Sequence, residues 1–295
     1  MRLAILTDVH YGLDDPTKRG SAGLRLLETV VNEVNRRQPD MMIDLGDRIN
    51  DQGDESDRKH LQELQAQLER VTVPRMHLLG NHDVTHLSLE TSEAILGSEL
   101  RHRSLDVKGW HLVFWYADVS YERGLGNLSL SPVDLAWLEA DLKMATLPSI
   151  VFSHVPLGDG AMVGNYYFEH RTESRAGYRN AHLARAIIER SDKVVMAVAG
   201  HVHWNALNTV DGVHYLTLQS LTETFTTPPH PAAAWAELEL SDRIAWQVHG
   251  LEPLAFTLPL KKPGAHWLAY GGKANPVSQD RIAEQLLKEQ LIEKG

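Results

Sequence analysis

Five short motifs hold the chemistry that can be read directly from this chain: Asp8-Val9-His10, Gly46-Asp47, Gly80-Asn81-His82-Asp83, Ser153-His154 and Gly200-His201-Val202-His203. Their candidate ligands are Asp8, His10, Asp47, Asn81, His154, His201 and His203. These supply carboxylate, carboxamide and imidazole, the donors that two adjacent divalent metals take, and the chain has no cysteine to add a thiolate. That donor set favours manganese, iron or zinc over magnesium alone. With Asp8 and Asp47 ionised, two divalent ions leave the centre at about plus two, or plus one with a bound hydroxide, so it attracts a phosphate ester. The chain has 16 histidines, and a lone histidine is more often structural or on the surface. His60, His77, His86, His102, His111, His170, His182, His214, His230, His249 and His266 take that reading. What singles out the others is five motifs in order, each after an apolar run.

Those runs are Leu3 to Leu6, Met41 to Leu45, Met76 to Leu79, Ile150 to Phe152 and Val194 to Val198. Each reads as a strand delivering polar groups at its C-terminal end, where open α/β sheets place their sites. In extended backbone, residues two apart face the same side, so Asp8 with His10, and His201 with His203, can each serve one ion. Apolar spacing over 21–38 (Leu24, Leu27, Val30, Val31, Val34) and 55–71 (Leu61, Leu64, Leu68) predicts crossover helices and a parallel sheet. Ser131-Pro132-Val133-Asp134 predicts a helix start running to about residue 144, with Trp137, Leu138 and Leu142 as packing residues. Beyond the histidine pair, 206–210 and 213–218 read as a hairpin around Asp211-Gly212. Further antiparallel strands at 232–240 and 244–248 are expected to build the second half of the fold.

Residues 1–258 are expected to form the catalytic domain and 259–295 a C-terminal strap and terminal helix, since 259–276 is rich in Pro, Gly and Lys and Ile282, Leu286, Leu287 and Leu291 follow at helical spacing. That helix, or the loop at 156–179, is the expected contact if the chain forms a homo-oligomer. The loop holds Tyr166, Tyr167, Phe168, Arg171, Arg175, Tyr178 and Arg179. Aromatic faces stack on nucleobases and arginine forks take phosphate oxygens, against a plain solvated loop as the alternative. A formal net charge of −10 argues against a stable nucleic-acid partner, which needs a basic face. Met1 to Leu6 leads straight into the Asp8 motif, leaving no room for a signal peptide. No apolar run approaches the length of a membrane span. The expectation is a soluble cytoplasmic protein.

The five motifs and their order resemble the calcineurin-like metallophosphoesterase superfamily over about residues 2–220. The resemblance implies an α/β fold, a four-layer α/β/β/α sandwich of the metallophosphoesterase type. It implies one metal held by Asp8, His10, Asp47 and His203 and a second by Asp47, Asn81, His154 and His201, with Asp47 bridging and manganese or iron favoured. One departure stands out: many members carry a second Asp three residues after the Gly-Asp aspartate, where this chain has Asn50. Leu130-Ser131 with Trp137-Leu138, Ser153 to Leu157, Tyr178-Arg179-Asn180-Ala181, and Gly212 to Tyr215 with Thr222-Glu223-Thr224 look like the manganese-dependent ADP-ribose/CDP-alcohol diphosphatases. On that match Tyr178 and Arg179 are the substrate-contact candidates.

The expected reaction is hydrolysis of a small phosphodiester or nucleoside diphosphate-type ester by a metal-bridging hydroxide, without a phosphoenzyme. His82 is the expected catalytic residue by resemblance, giving a hydrogen bond or proton toward the leaving group, oriented by Asp83 or another carboxylate. The alternatives are a cyclic-nucleotide or glycerophosphodiester phosphodiesterase, a phosphomonoesterase, a nuclease, or a non-catalytic binding scaffold.

Overall fold

Strands that are apolar on both faces need cover on both sides, and the first strand shows how this chain supplies it. In β1 (Arg2–Leu6), Leu3 and Ile5 enter one apolar layer while Ala4 and Leu6 enter another. The computed structural model describes residues 1–121, 127–169 and 175–260.

The remaining strands are β2 (Met41–Asp44), β3 (Arg75–His77), β4 (Arg103–Val107), β5 (Trp110–Phe114), β6 (Ser149–Phe152), β7 (Val194–Ala199), β8 (Ala206–Val210), β9 (Val213–Thr217), β10 (Trp235–Leu240), β11 (Arg243–His249) and β12 (Leu254–Pro259). The helices are α1 (Gly23–Arg37), α2 (Asp54–Leu68), α3 (Leu89–Leu96), α4 (Pro132–Met144), the single turn α5 (Tyr166–Glu169) and α6 (Ala181–Arg190). The strands form two six-stranded mixed sheets, ordered β12-β11-β10-β1-β2-β3 and β4-β5-β6-β7-β9-β8.

Between the sheets lies one core, joining Leu3, Ile5 and Ile43 to Phe114, Phe152 and Val198. A second apolar layer packs Leu27, Val31, Leu61 and Leu64 of α1 and α2 on the outer face of the first sheet. A third packs Leu135, Leu138, Leu183 and Ile187 of α4 and α6 on the second. The result is the four-layer arrangement of helices, sheet, sheet, helices. The predicted helices fall close to α1, α2 and α4, and Ser131 caps α4 by accepting the Asp134 N–H at 3.1 Å. Asp211 and Gly212 turn the β8–β9 hairpin with φ of 51° and 77°, as a type I′ turn requires.

One expectation changes. The strands of 232–248 do not build the second sheet: β10 pairs antiparallel with β1, Ile5 opposite Ala236, and so extends the first sheet. The apolar alternation of Ala236, Leu238 and Leu240 fits the inter-sheet core, and strand pattern alone does not specify which sheet a strand joins. The second sheet is instead completed by the β4–β5 hairpin, in which Trp110, Leu112 and Phe114 face that core. The expected domain limit at 258 falls within β12, and the expected strap beyond Leu260 and the terminal helix lie outside the described residues. Among the described residues, no helix is long and apolar enough to cross a membrane.

Candidate metal centre

The loops leaving β1, β2 and β3 carry Asp8, Asp47 and Asn81, and those leaving β6 and β7 carry His154, His201 and His203. Both sheets therefore contribute to one rim. Backbone bonds tie the loops together: Asp8 N–H donates to Gly46 O (2.9 Å), His10 N–H to Asp47 O (3.0 Å) and Gly200 N–H to His154 O (2.9 Å). The expected mechanism of ligand pairing needs correction, because β1 stops at Leu6 and β7 at Ala199. Asp8, His10, Asp47, His201 and His203 all take left-handed φ, between 44° and 68°. Asp and His tolerate this region better than most side chains. Asp8 and His10 thus converge through kinks beyond the strand, rather than by extended alternation, while His201 and His203 part to different donor groups instead of serving one ion. Glycine gives the loops room: a Cβ on Gly80 would lie 2.1 Å from Asp47 Oδ1, and one on Gly200 1.9 Å from Thr7 Oγ1 and 2.5 Å from Asp8 Oδ2.

All seven expected ligands are buried, and Asp47 sits at their middle. Donor atoms of Asp8, His10 and His203 lie within 4.8 Å of one another, as do those of His10, Asp47 and His82, and those of Asp47, His154 and His201. The Nε2 atoms of His10 and His203 are 2.9 Å apart. Asp8 Oδ1 is 3.2 Å from His203 Nε2, and Asp47 Oδ2 is 3.2 Å from His154 Nε2 and 3.7 Å from His10 Nε2. Asp8 Oδ1, Asn81 Oδ1 and His154 Nε2 are buried without a hydrogen-bond partner. Leaving such atoms unsatisfied is expensive. A pair of cations sharing Asp47 fits them.

Each outer histidine has one nitrogen fixed elsewhere. His154 Nδ1–H donates to Leu45 O (3.0 Å), His201 Nε2–H to Arg175 O (2.6 Å), and His203 Nδ1–H to Glu223 Oε2 (2.5 Å), leaving the other ring nitrogen for the centre. Burial opposes charge on His154, but Asp47 outweighs it and pushes the pKa up to about 9. Burial likewise opposes charge on His203, outweighed by Asp8 and Glu223, again to about 9. Burial and the nearby His154 charge bring His201 down to about 4. Burial would raise Asp8 and Asp47, yet the facing imidazoles hold both below the usual carboxylate range.

His82 stands at the mouth of this cluster, its side chain 25 % exposed and its ring edge-on to His10. Its N–H donates to Asp47 Oδ1 (2.8 Å), and its Nδ1 meets Asp51 Oδ1 at 2.7 Å. Burial disfavours the imidazolium, but Asp47 and Asp51 outweigh it and raise the pKa. Asp51, rather than Asp83, is the orienting carboxylate. Asp83 is turned inward, accepting from the backbone N–H groups of Asp47, Arg48 and Gly80 and pairing with Arg48 Nη1 at 2.9 Å. Arg48, fully buried, is also paired with Asp44 at 2.6 Å, and Asp44 with His77 at 3.1 Å. Asn50 points away, donating to Leu13 O.

Tyr178 is not brought to the cluster. Tyr178 is buried in the apolar layer beneath α4 and α6, and Arg179 is exposed, its N–H bonded to Leu128 O. Other rings of the 156–179 loop do approach: Phe168 lies 6.1 Å from the His201 ring and 4.9 Å from Tyr167, which stacks at 5.5 Å on Phe225, itself 6.2 Å from His203. His170 and Arg171 lie outside the described residues. Sequence reasoning missed Glu223, Asp51, Asp44 and Arg48 as site residues. For Asp44 a signal existed: a carboxylate inside an apolar strand, with an arginine four residues on.

Residues 1–205 match the family described as calcineurin-like phosphoesterase. A 3′,5′-cyclic-nucleotide phosphodiesterase of Nostoc sp. is 25 % identical over 222 residues, covering 72 % of this chain and 76 % of that one. Among solved structures, a dimetal phosphatase from Danio rerio superposes with a TM-score of 0.71 at 19 % identity, over 88 % of this chain and 99 % of that one. A purple acid phosphatase from yellow lupin gives 0.61 at 14 %, over 88 % of this chain and 53 % of that one.

Proposed function

Because the chain belongs to the calcineurin-like phosphoesterase family, and so is a metal-dependent hydrolase, we propose that it cleaves small nucleotide-type phosphodiesters with two divalent ions, manganese or iron before zinc. The observation that carries this is the buried Asp47 carboxylate shared between donor groups that leave Asp8 Oδ1, Asn81 Oδ1 and His154 Nε2 unsatisfied. Asp8, His10, Asp47 and His203 would hold one ion, and Asp47, Asn81, His154 and His201 the other. When bound, such ions supply Lewis acidity toward phosphoryl oxygens and lower the pKa of the attacking water.

The chain's own groups do the rest. His82 is held by Asp51 through Nδ1, so Nε2–H is the proton it offers to the departing oxygen. No Ser or Cys nucleophile takes part, and water attacks directly. The aromatic wall of Phe168, Tyr167 and Phe225 beside His201 and His203 suits a nucleobase next to the scissile phosphate. The cyclic-nucleotide activity of the Nostoc relative supports the same substrate class. A glycerophosphodiester would leave the wall unused.

The test is chelator-sensitive hydrolysis of bis(p-nitrophenyl) phosphate with manganese, followed by relative turnover on cyclic nucleotides, ADP-ribose, CDP-alcohols, glycerophosphodiesters and aryl monoesters. Turnover confined to glycerophosphodiesters or monoesters would overturn the nucleotide reading, and absence of metal-dependent hydrolysis would overturn the function. His82→Ala should retain both ions and lose about 10²- to 10⁴-fold in kcat.

A further inference from the structure

We propose that Lys18 is an oxyanion-binding residue of this centre, placing its ammonium against the phosphoryl group and favouring the more highly charged phosphate. The inference rests on the phosphoesterase reading above. Lys18 is the one buried lysine among the described residues, with only 9 % of its surface exposed. Burial of an ammonium is costly unless something on the spot repays it. Its visible partner, Asp15, lies 3.3 Å away with a third of its own side chain in solvent, and an ammonium has three donors.

The loop carrying Lys18 is not free to move the charge elsewhere. Lys18 forms an antiparallel bridge with Glu223, the carboxylate that grips His203. On either side, Arg19 N–H donates to Thr222 O (2.9 Å) and Thr224 N–H to Thr17 O (2.8 Å). Asp15 Oδ1 pins the turn by accepting the N–H groups of Thr17 and Lys18. Gly20 closes the loop onto the centre, since a Cβ there would meet His10 O at 2.7 Å. Lys18 is therefore fixed between His10 and the loop that supports His203.

A buried cation next to a metal-binding cluster is repulsive toward the positive charge gathered there. It becomes favourable when an anion joins them, which is the arrangement expected where negative charge must be bound. Arg48 cannot play this part, being enclosed by Asp44 and Asp83. A dianionic phosphoryl group gains more from Lys18 than a monoanionic diester does.

The experiment compares wild type with Lys18→Met, which keeps the length of the side chain and removes its charge, and with Lys18→Arg, which restores charge. The probes are inorganic phosphate binding by calorimetry on the manganese-loaded protein, and kcat/KM for p-nitrophenyl phosphate and bis(p-nitrophenyl) phosphate. Lys18→Met is expected to bind phosphate at least 10-fold more weakly and to lose at least 5-fold more kcat/KM on the monoester than on the diester, with two ions retained and Lys18→Arg recovering part of both. Unchanged phosphate affinity, equal losses on the two esters, or loss of bound metal would assign Lys18 to loop structure and overturn the proposal. If Lys18→Met does not fold, Lys18→Gln is read by the same criteria. Phosphate binding needs no turnover, so a failure of the hydrolase reading would show separately, as wild type that does not hydrolyse either ester.

Discussion

Cation binding at this centre must expel protons, and their number follows from two histidines. Carboxylates outweigh burial to hold His203 and His154 protonated up to about 9, and the two belong to different donor groups, one with Asp8 and His10, the other with Asp47 and His201. His201, near 4, and His10, also depressed, are already neutral at pH 7 and contribute nothing. Each ion therefore displaces one proton. Competition of that kind weakens the apparent affinity of each ion roughly 75-fold between pH 8.5 and pH 6.5, about 2.5 kcal/mol. Titrating chelator-treated protein with manganese, without oxygen and in buffers of different ionisation enthalpy, measures the release directly. Two protons per two ions are expected at pH 7, with any third coming from water. Release of fewer than one proton in total, or an affinity flat across the window, would refute the electrostatic account. Glu223→Gln keeps an acceptor for His203 Nδ1 but removes one of the charges raising its pKa, so it should lower the release from that group alone at pH 8.5.

Four further outcomes are expected. In chelator-treated protein, His154 and His203, raised above their unfolded values, stabilise the fold fully below about pH 6.5 and lose that contribution as pH climbs through about 9; Tm should fall between pH 7 and pH 10 without manganese and far less with it. Asp51→Asn removes the charge behind His82 and should lower kcat about 10- to 100-fold while metal content, read by elemental analysis, stays at two ions. Gly80→Ala sets a methyl group 2.1 Å from Asp47 Oδ1, so Asp47 must shift and the metal stoichiometry should drop in the same analysis. Arg48→Met strands Asp44 and Asp83 without their shared cation and should destabilise by about 3–5 kcal/mol in urea unfolding.

The parts of the fold written in local pattern were legible. The three- and four-residue spacing of Leu27, Val30, Val31 and Val34 marks α1, and Ser131-Pro132 marks the start of α4, because those signals are set by the segment itself. Motif order marks the metal candidates, and the structure gathers donor atoms of Asp8, His10 and His203 in one group and of Asp47, His154 and His201 in another. What escaped depends on tertiary company. Ala236 and Leu238 alternate correctly for a strand, but their choice of β1 as neighbour is decided by inter-sheet packing. Asp51 looked like an ordinary loop residue until its left-handed backbone (φ 25°) brought its side chain to His82. Glu223 lies 20 residues beyond His203 and reaches it only because the chain turns back after β9. The kinks at the ligands were hidden for the same reason, since Asp8 and His10 are as compatible with extended backbone as with the conformation they take.

The division of donors between the two sheets has a mechanical consequence. Asp8, Asp47 and Asn81 hang from one sheet and His154, His201 and His203 from the other, so a pair of cations would rivet the halves of the molecule together at a single rim. Five of the riveted residues occupy a backbone basin about 1 kcal/mol uphill each, and without that fastening they are free to relax outward. Chelation should then loosen the seam from the rim inward, raising amide exchange in those loops first, while the far edges at β12 and β4, remote from the rivet, keep their protection.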